Sequence, residues 1–284
     1  MAPPSLSDNS NIMVATSLPV ISEPGAADSV FSQFSLTSQV AVITGGAQGL
    51  GYAMASSLCS AGLAGIAILD INPVTGEAAA LSLQNTYGTS ARFYKADVTN
   101  EQIMKAVFAE INADFGGIDI LVCSAGIVEN YPAEEYPFDR FQRLMNINLA
   151  GSFLSAQAAF PFLKSRGGGS IIFIASMSGH IVNYPQCQIA YNASKAGVIH
   201  MMKSFAAEWA KYKIRCNSIS PGYMQTELVA SFDPGMVQQW IKGTPMARMG
   251  LPNELQGVAL WLASKASSFT TGADISVDGG YTTL

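Results

Sequence analysis

A serine, a tyrosine and a lysine carry the strongest chemical signal in this chain of 284 residues. Ser176 closes an apolar run, Ser170–Ala175, that reads as a strand, and fifteen residues later Tyr191-Asn192-Ala193-Ser194-Lys195 opens a long helical stretch. Tyr and Lys at i and i+4 share one helix face, one turn apart. A phenol with an ordinary pKa of about 10 exchanges protons poorly near neutrality. An ammonium beside it favours the phenolate and lowers that pKa. A serine hydroxyl within reach can hold a substrate oxygen against the phenol. Such a set moves a proton to or from the oxygen of a small molecule. A Tyr–Lys pair by itself reads better as an exposed helix face, and it is the upstream serine and the glycine turn that reverse the reading.

The first support is a glycine-rich turn. The run Gln39–Thr44 leads into Thr44-Gly45-Gly46-Ala47-Gln48-Gly49-Leu50-Gly51, and a helical stretch follows. Glycines let the backbone approach a pyrophosphate, and the helix behind them offers unpaired N–H groups and its positive end. Gly45, Gln48, Gly49, Leu50 and Gly51 are the candidate contacts. The spacing is G-x-x-x-G-x-G, not the commoner G-x-G-x-x-G of dinucleotide sites. Asp70 closes the second strand, nineteen positions after Gly51. A carboxylate there accepts bonds from both ribose hydroxyls of an adenosine and repels a 2′-phosphate. The chain has no Lys or Arg before Arg92 to hold that phosphate, so NAD(H) is expected over NADP(H). The competing reading of Asp70 is a helix N-cap. Asp97-Val98 ends the third strand, where the acid either meets the adenine amino group or opens the next loop. Ser124-Ala125-Gly126 ends the fourth, small enough for a ribose to lie on the backbone. A cationic nicotinamide near Tyr191 would lower the phenol's pKa further.

These residues need a scaffold, and the chain supplies a regular one. Strands are expected at Gln39–Thr44, Gly65–Asp70, Arg92–Ala96, Ile118–Cys123, Ser170–Ala175, Ile214–Ile219 and Asp274–Val277. Helices are expected at Leu50–Ala61, Val74–Tyr87, Glu101–Phe115, Phe138–Met145, Asn148–Lys164, Ile189–Tyr212 and Pro252–Ala263. Short runs apolar on both faces, alternating with helices, predict an α/β doubly wound, Rossmann-type parallel sheet flanked by helices. Residues 36–284 read as one dinucleotide-binding catalytic domain. Residues 1–35, rich in Ser, Pro, Ala and Asn, read as a flexible tail without a signal sequence, although Val30–Phe34 could pack as a short arm. The stretch from about 224 to 249, broken by Pro234, Gly235, Gly243 and Pro245, reads as a flap over the site.

Composition narrows the partners. Charged residues make up 12% of the chain and the formal net charge is −5. There is no basic run, so nucleic acid is not expected, and no apolar run is long enough to span a bilayer. Cys59, Cys123, Cys187 and Cys216 lie far apart and the histidines are His180 and His200. No metal site is expected, and free thiols suit a reducing, cytoplasmic setting. So low a charge also predicts a homo-oligomer.

Taken together, the chain resembles the short-chain dehydrogenase/reductase family over roughly residues 36–284. The matching residues are Thr44 to Gly51, Asp97, Cys123-Ser124-Ala125-Gly126, Asn148 in Asn148-Leu149-Ala150-Gly151, Ser176, Tyr191, Lys195 and Pro221-Gly222. The resemblance implies a seven-stranded parallel sheet, a dimer or tetramer, and a nicotinamide-dependent exchange between a secondary alcohol and a ketone. It makes Tyr191 the general acid in reduction and base in oxidation. It gives Ser176 the carbonyl, Lys195 the nicotinamide ribose, and Asn148 a water relay to Lys195. Pro221, Met224 and Thr226 would contact the nicotinamide side. One departure stands out: the usual N-N-A-G reads C-S-A-G, which puts the first asparagine's structural bonding in doubt.

Ser176 to Lys195 is most similar to the fungal polyol dehydrogenases and ketose reductases of the mannitol, arabinitol, sorbose and xylulose group. Asn183, Gln186 and Gln188 line the approach to Tyr191, and amides that donate and accept suit a polyhydroxylated small molecule. Asn183 and Gln188 are therefore the candidate substrate contacts, unless they only cap a loop. Two other readings stay open. One is a ketoreductase for a hydrophobic metabolite, which Val229, Phe232, Met236, Val237, Trp240 and Met246 keep alive. The other is a cofactor-binding scaffold without catalysis, against which the Ser–Tyr–Lys–Asn set argues.

Overall fold

The apolar runs become parallel strands because both of their faces are covered. The computed structural model describes residues 29–227 and 233–283. The expected flexible tail up to residue 28, and Val229 and Phe232 of the expected flap, lie outside them. Among the described residues, β1 (Val40–Thr44), β2 (Gly65–Asp70), β3 (Ser90–Lys95), β4 (Ile120–Cys123), β5 (Gly169–Ile174), β6 (Ile214–Pro221) and β7 (Asp274–Val277) form one seven-stranded sheet. Its order is β3-β2-β1-β4-β5-β6-β7 and every pairing is parallel. Successive residues of a strand point to opposite faces. Val42 therefore joins a core with Phe108, Phe173, Met202 and Phe205, while its neighbour Ile43 joins a second core with Met54, Leu58, Ile66 and Leu262.

The helices are α1 (Gly49–Ser60), α2 (Pro73–Tyr87), α3 (Glu101–Phe115), α4 (Phe138–Met145), α5 (Gly151–Ser165), α6 (Ile189–Trp209), α7 (Pro234–Gly243) and α8 (Gln256–Ala263). The architecture is the doubly wound Rossmann type that the sequence implied. Three local features differ from the expected elements. The helices expected on either side of Asn146 are joined by a π-helical turn, Asn146–Ala150. The stretch expected as a flap contains α7, started by Pro234 and by Asp233, whose carboxylate accepts from Met236 N at 3.0 Å. The helix expected from Pro252 opens with a 3-10 turn, Pro252–Leu255. At the other end, Val30–Phe34 forms an exposed 3-10 turn, and Leu36 is fully buried with its N–H on Ala61 O at 2.9 Å.

The strand order reverses between β1 and β4. In open parallel sheets that reversal leaves a crevice at the carboxyl ends, and Thr44, Cys123 and Ile174, the last residues of β1, β4 and β5, all lie along that edge. Among the described residues no helix is long and apolar enough to cross a membrane.

Candidate active site

The glycine turn is built by close approach. Gly45 has φ +64°, and a Cβ there would lie 2.7 Å from Ala125 Cα; one on Gly51 would lie 2.2 Å from Gly45 O. Thr44 Oγ1 accepts from Ser124 N at 3.2 Å and from Ala125 N at 3.3 Å, which fixes Ser124-Ala125-Gly126 against the turn. Asn72, Asn100 and Asp233 cap α2, α3 and α7 with side-chain oxygens, but Gln48 gives α1 no such bond. The first N–H groups of α1 thus have no side-chain acceptor. At Gly49, φ +57°, the space a Cβ would take is open, and Leu50 beside it is half-buried. Uncapped donors at an open glycine turn fit a pyrophosphate.

Asp70 stands beside this turn. Its carboxylate accepts from Ala47 N at 3.4 Å and from Asn72 N at 3.2 Å. The residue that caps α2 is Asn72, whose Oδ1 takes Val74 N at 3.0 Å, so the N-cap reading of Asp70 does not hold. The parallel register sets Lys95 of β3 opposite Asp70, a cation that the linear sequence did not bring there. Asp97 is exposed and its Oδ1 accepts from Thr99 N at 2.9 Å and Thr99 Oγ1 at 2.7 Å, the bonds of a loop opening. Val98 is buried, against Gly151, where a Cβ would come within 2.7 Å of it.

On the other side of the crevice, Ser176 follows β5 and Tyr191 and Lys195 stand one turn apart on α6. Ser176 Oγ accepts from Ser178 N at 3.1 Å. Lys195 Nζ lies 5.6 Å from the centre of the Tyr191 ring and donates to Ile174 O at 2.7 Å. Burial pushes the Tyr191 phenol above its ordinary pKa, and a hydrogen bond with Ser176 pulls it back in part. Burial also pushes the Lys195 ammonium down to about 8. This corrects the expectation that the ammonium sets the phenol's acidity in the protein alone. Desolvation is the larger effect on Tyr191, and the ammonium's bond is to the strand-end carbonyl. Ser176 is thus close enough to act on the Tyr191 hydroxyl's acidity.

Asn148 is buried in the π turn. Its Oδ1 accepts from Ile127 N at 2.8 Å, and its Nδ2 donates to Ile127 O at 2.9 Å and Ser194 Oγ at 3.1 Å. A Cβ on Gly126 would lie 3.2 Å from that Oδ1 and 3.7 Å from Lys195 Nζ. Asn148, Lys195 and the end of β4 therefore meet at one point. π turns inside helices often mark functional sites. In the departing C-S-A-G stretch, the buried Cys123 thiol reaches only Ser152 O, at 3.9 Å, a weak bond in place of an amide's.

The third wall combines the loop before α6 with the chain after β6. Pro221 and Met224 are buried, Met224 bridges Gly250, and Thr226 N donates to Met224 O at 2.9 Å. Asn183 is buried with both ends of its amide engaged: Ser178 Oγ donates to Oδ1 at 3.0 Å and Nδ2 donates to Tyr223 OH at 3.4 Å. That is a loop brace more than an open substrate contact. Gln188 is buried, and its backbone carbonyl accepts from Asn192 N at 2.8 Å. Sequence reasoning missed Thr44 as a brace, Ser194 as the partner of Asn148, Lys95, and Tyr223. Thr44 and Ser194 lie inside motifs already singled out, and Tyr223 directly follows Pro221-Gly222. Among the described residues no group of three or more His, Cys, Asp or Glu side chains could hold a metal.

A sequence model of the family described as enoyl-(acyl carrier protein) reductase matches residues 45–282. The chain is 41% identical to sorbose reductase of Candida albicans, over 91% of this chain and 92% of that protein. It is 42% identical to a probable NADP-dependent mannitol dehydrogenase of Yarrowia lipolytica, again over 91% and 92%. It is 40% identical to an NADH-dependent L-xylulose reductase of Ambrosiozyma monospora, over 88% and 97%. Among solved structures, a short-chain type dehydrogenase/reductase from Mycobacterium marinum superposes with a TM-score of 0.86 at 41% identity, covering 90% of this chain and all of that one.

Proposed function

The chain belongs to the short-chain dehydrogenase/reductase family, a nicotinamide-dependent oxidoreductase of secondary alcohols and ketones, and from that premise we propose that it interconverts a polyol and its ketose. The observation that carries this reading is the Ser176–Tyr191 hydroxyl pair, with Lys195 one helical turn on, facing the uncapped glycine turn across the sheet's carboxyl edge. Support for the substrate class comes from the relatives named for sorbose, mannitol and xylulose.

In this reading Ser176 Oγ holds the substrate oxygen and Tyr191 exchanges a proton with it. The buried phenol carries its proton at neutral pH, as donation to a ketone's oxygen during reduction requires; burial makes it a weaker acid than a free phenol, and the positive charge of Lys195 acts against that. In the oxidative direction the phenolate needs positive charge nearby, which Lys195 supplies while it is protonated. Asn148 holds Ile127 and the end of β4 in register with Lys195. Gly45, Gln48, Gly49, Leu50 and Gly51 would receive the cofactor's pyrophosphate, Asp70 its adenosine ribose, and Asp97 and Val98 its adenine. Ser124, Ala125, Gly126, Pro221, Met224 and Thr226 would flank the nicotinamide half, with Tyr191 and Lys195 at its ribose. When bound, that cofactor gives or takes the hydride.

The preferred cofactor in this proposal is NAD(H), because Asp70 presents a carboxylate where a 2′-phosphate would come. Lys95 opposite it reduces that repulsion, and the relatives' names include both cofactors. A kcat/KM higher with NADPH than with NADH would reverse the preference. The sparse charge supports a homo-oligomer, a dimer or tetramer, which sedimentation would test. The unpaired cysteines support a reducing, cytoplasmic setting. The competing hydrophobic-metabolite reading loses ground because Trp240 is buried against Tyr223. The deciding experiment is a panel of sugar alcohols with NAD and ketoses with NADH, followed at the NADH absorbance band. Turnover of at least one is expected; no change with any of them refutes the proposal.

A further inference from the structure

A line of hydrogen bonds leaves Ser176 beside Tyr191 and ends on Gln186, through a phenol whose ring is stacked on α7. Ser178 donates its N–H to Ser176 Oγ at 3.1 Å and its hydroxyl to Asn183 Oδ1 at 3.0 Å. Asn183 Nδ2 donates to Tyr223 OH at 3.4 Å, and Tyr223 donates its own proton to Gln186 Oε1 at 2.5 Å. The Tyr223 ring is stacked on Trp240 of α7, with centres 4.4 Å apart and planes 7° apart, and meets Tyr281 edge-on at 5.3 Å. One phenol therefore binds two of the three side-chain amides of the loop before α6, Asn183 and Gln186, and rests on α7. Burial pushes its pKa far up, so it stays a donor throughout the working range.

We infer that Tyr223 is a positioning residue for the substrate: it latches the 181–188 loop to α7 and so fixes the wall through which the substrate reaches Tyr191. The inference rests on the proposed function for what passes through that wall, but the latch is a property of the protein alone. Asn183 then acts through the latch. The loop's free edge is tied on its other side as well, by Tyr131 N on Cys187 O at 2.9 Å. Removing the Tyr223 hydroxyl releases one side of the loop and leaves that second tie in place.

The test is Tyr223→Phe, which keeps the stacked ring, with Gln186→Leu as an independent cut of the same bond. Amide hydrogen exchange of the protein without substrate is the first readout. Exchange across residues 181–188 is expected to rise about tenfold in Gln186→Leu, as for one lost buried hydrogen bond, and further in Tyr223→Phe, which also takes the acceptor from Asn183 Nδ2. The double variant should add little to Tyr223→Phe alone, since that change already removes the bond to Gln186. Exchange unchanged from wild type overturns the latch. The second readout is kinetic: KM for the polyol should rise about tenfold with kcat and the KM for NAD nearly unchanged. Loss of kcat and of thermal stability together, with KM unchanged, marks a merely structural tyrosine and also overturns the inference. A wild-type chain that oxidises no polyol refutes the proposed function instead, and the exchange experiment still decides the latch.

Discussion

Replacing Lys195 by methionine should stabilise the fold while removing its activity, and the stabilisation should depend on pH. Lys195 is buried, and burial lowers its pKa from 10.5 to about 8. At ~1.4 kcal/mol per pH unit, the charged form at pH 7 costs the folded state ~3 kcal/mol. Methionine fills a similar volume without the charge, but it leaves Ile174 O without the donor it has at 2.7 Å, a loss of ~1–3 kcal/mol. The expected net gain at pH 7 is therefore ~0–2 kcal/mol. The sign with pH follows from proton counting. Below pH 8 both folded and unfolded wild type hold the proton, and the full cost applies. Between about 8 and 10.5 the unfolded chain binds the proton and the folded one does not, so wild-type stability rises with pH through that window. The variant has no such group. Urea unfolding of both proteins at pH 7 and pH 10 should show the variant's advantage falling by ~2–3 kcal/mol. An advantage that is the same at both pH values would refute the argument that burial, and not a specific partner, sets this lysine's acidity.

Three further outcomes are expected. Tyr191→Phe should lower kcat by ~10²–10⁴-fold with dinucleotide affinity unchanged; turnover within threefold of wild type in steady-state kinetics would remove Tyr191 from its role. Asn148→Leu strands Ile127's N–H and carbonyl and takes a donor from Ser194 Oγ, which keeps its own bond to Tyr191 O, and should cost ~3–5 kcal/mol in urea unfolding; an unchanged midpoint would contradict it. Asp70→Ser should move the NADPH-to-NADH ratio of kcat/KM about tenfold toward NADPH, because it removes a carboxylate and leaves Lys95; a ratio that stays put means Asp70 does not face the phosphate position.

The scaffold was largely legible because each central strand is apolar on both faces and some helix starts have a recognisable residue, such as Asn72-Pro73 before α2 and Asn100 before α3. Errors came where tertiary structure overrides local pattern. Asp70 and Asn72 are two residues apart and either can cap a helix; only the backbone decides that Asn72 does. Helix α7 was hidden by Pro234, Gly235 and Gly243, since the same proline that reads as a breaker starts the helix at its first position. The acidity of Tyr191 was misjudged because i,i+4 spacing reports a neighbour but not a burial. Lys95 lies twenty-five positions from Asp70 and meets it only through β2–β3 register. The Tyr223 bonds needed the return of β6 to the Ser176 loop, which no local motif encodes.

The five residues from Asn146 to Ala150 wind more loosely than the helices they join. An ordinary helix advances about 100° per residue, so the looser turn takes up one extra residue while α4 and α5 keep their facing, and losing one amino acid here would let the coil tighten into regular helix. The side chains of the turn itself would change place, and the Asn148 grip on Ile127 is the contact that would be lost. The extra residue is thus what presents Asn148 to Ile127, and a single deletion there should leave the packing of α5 in place while removing that grip.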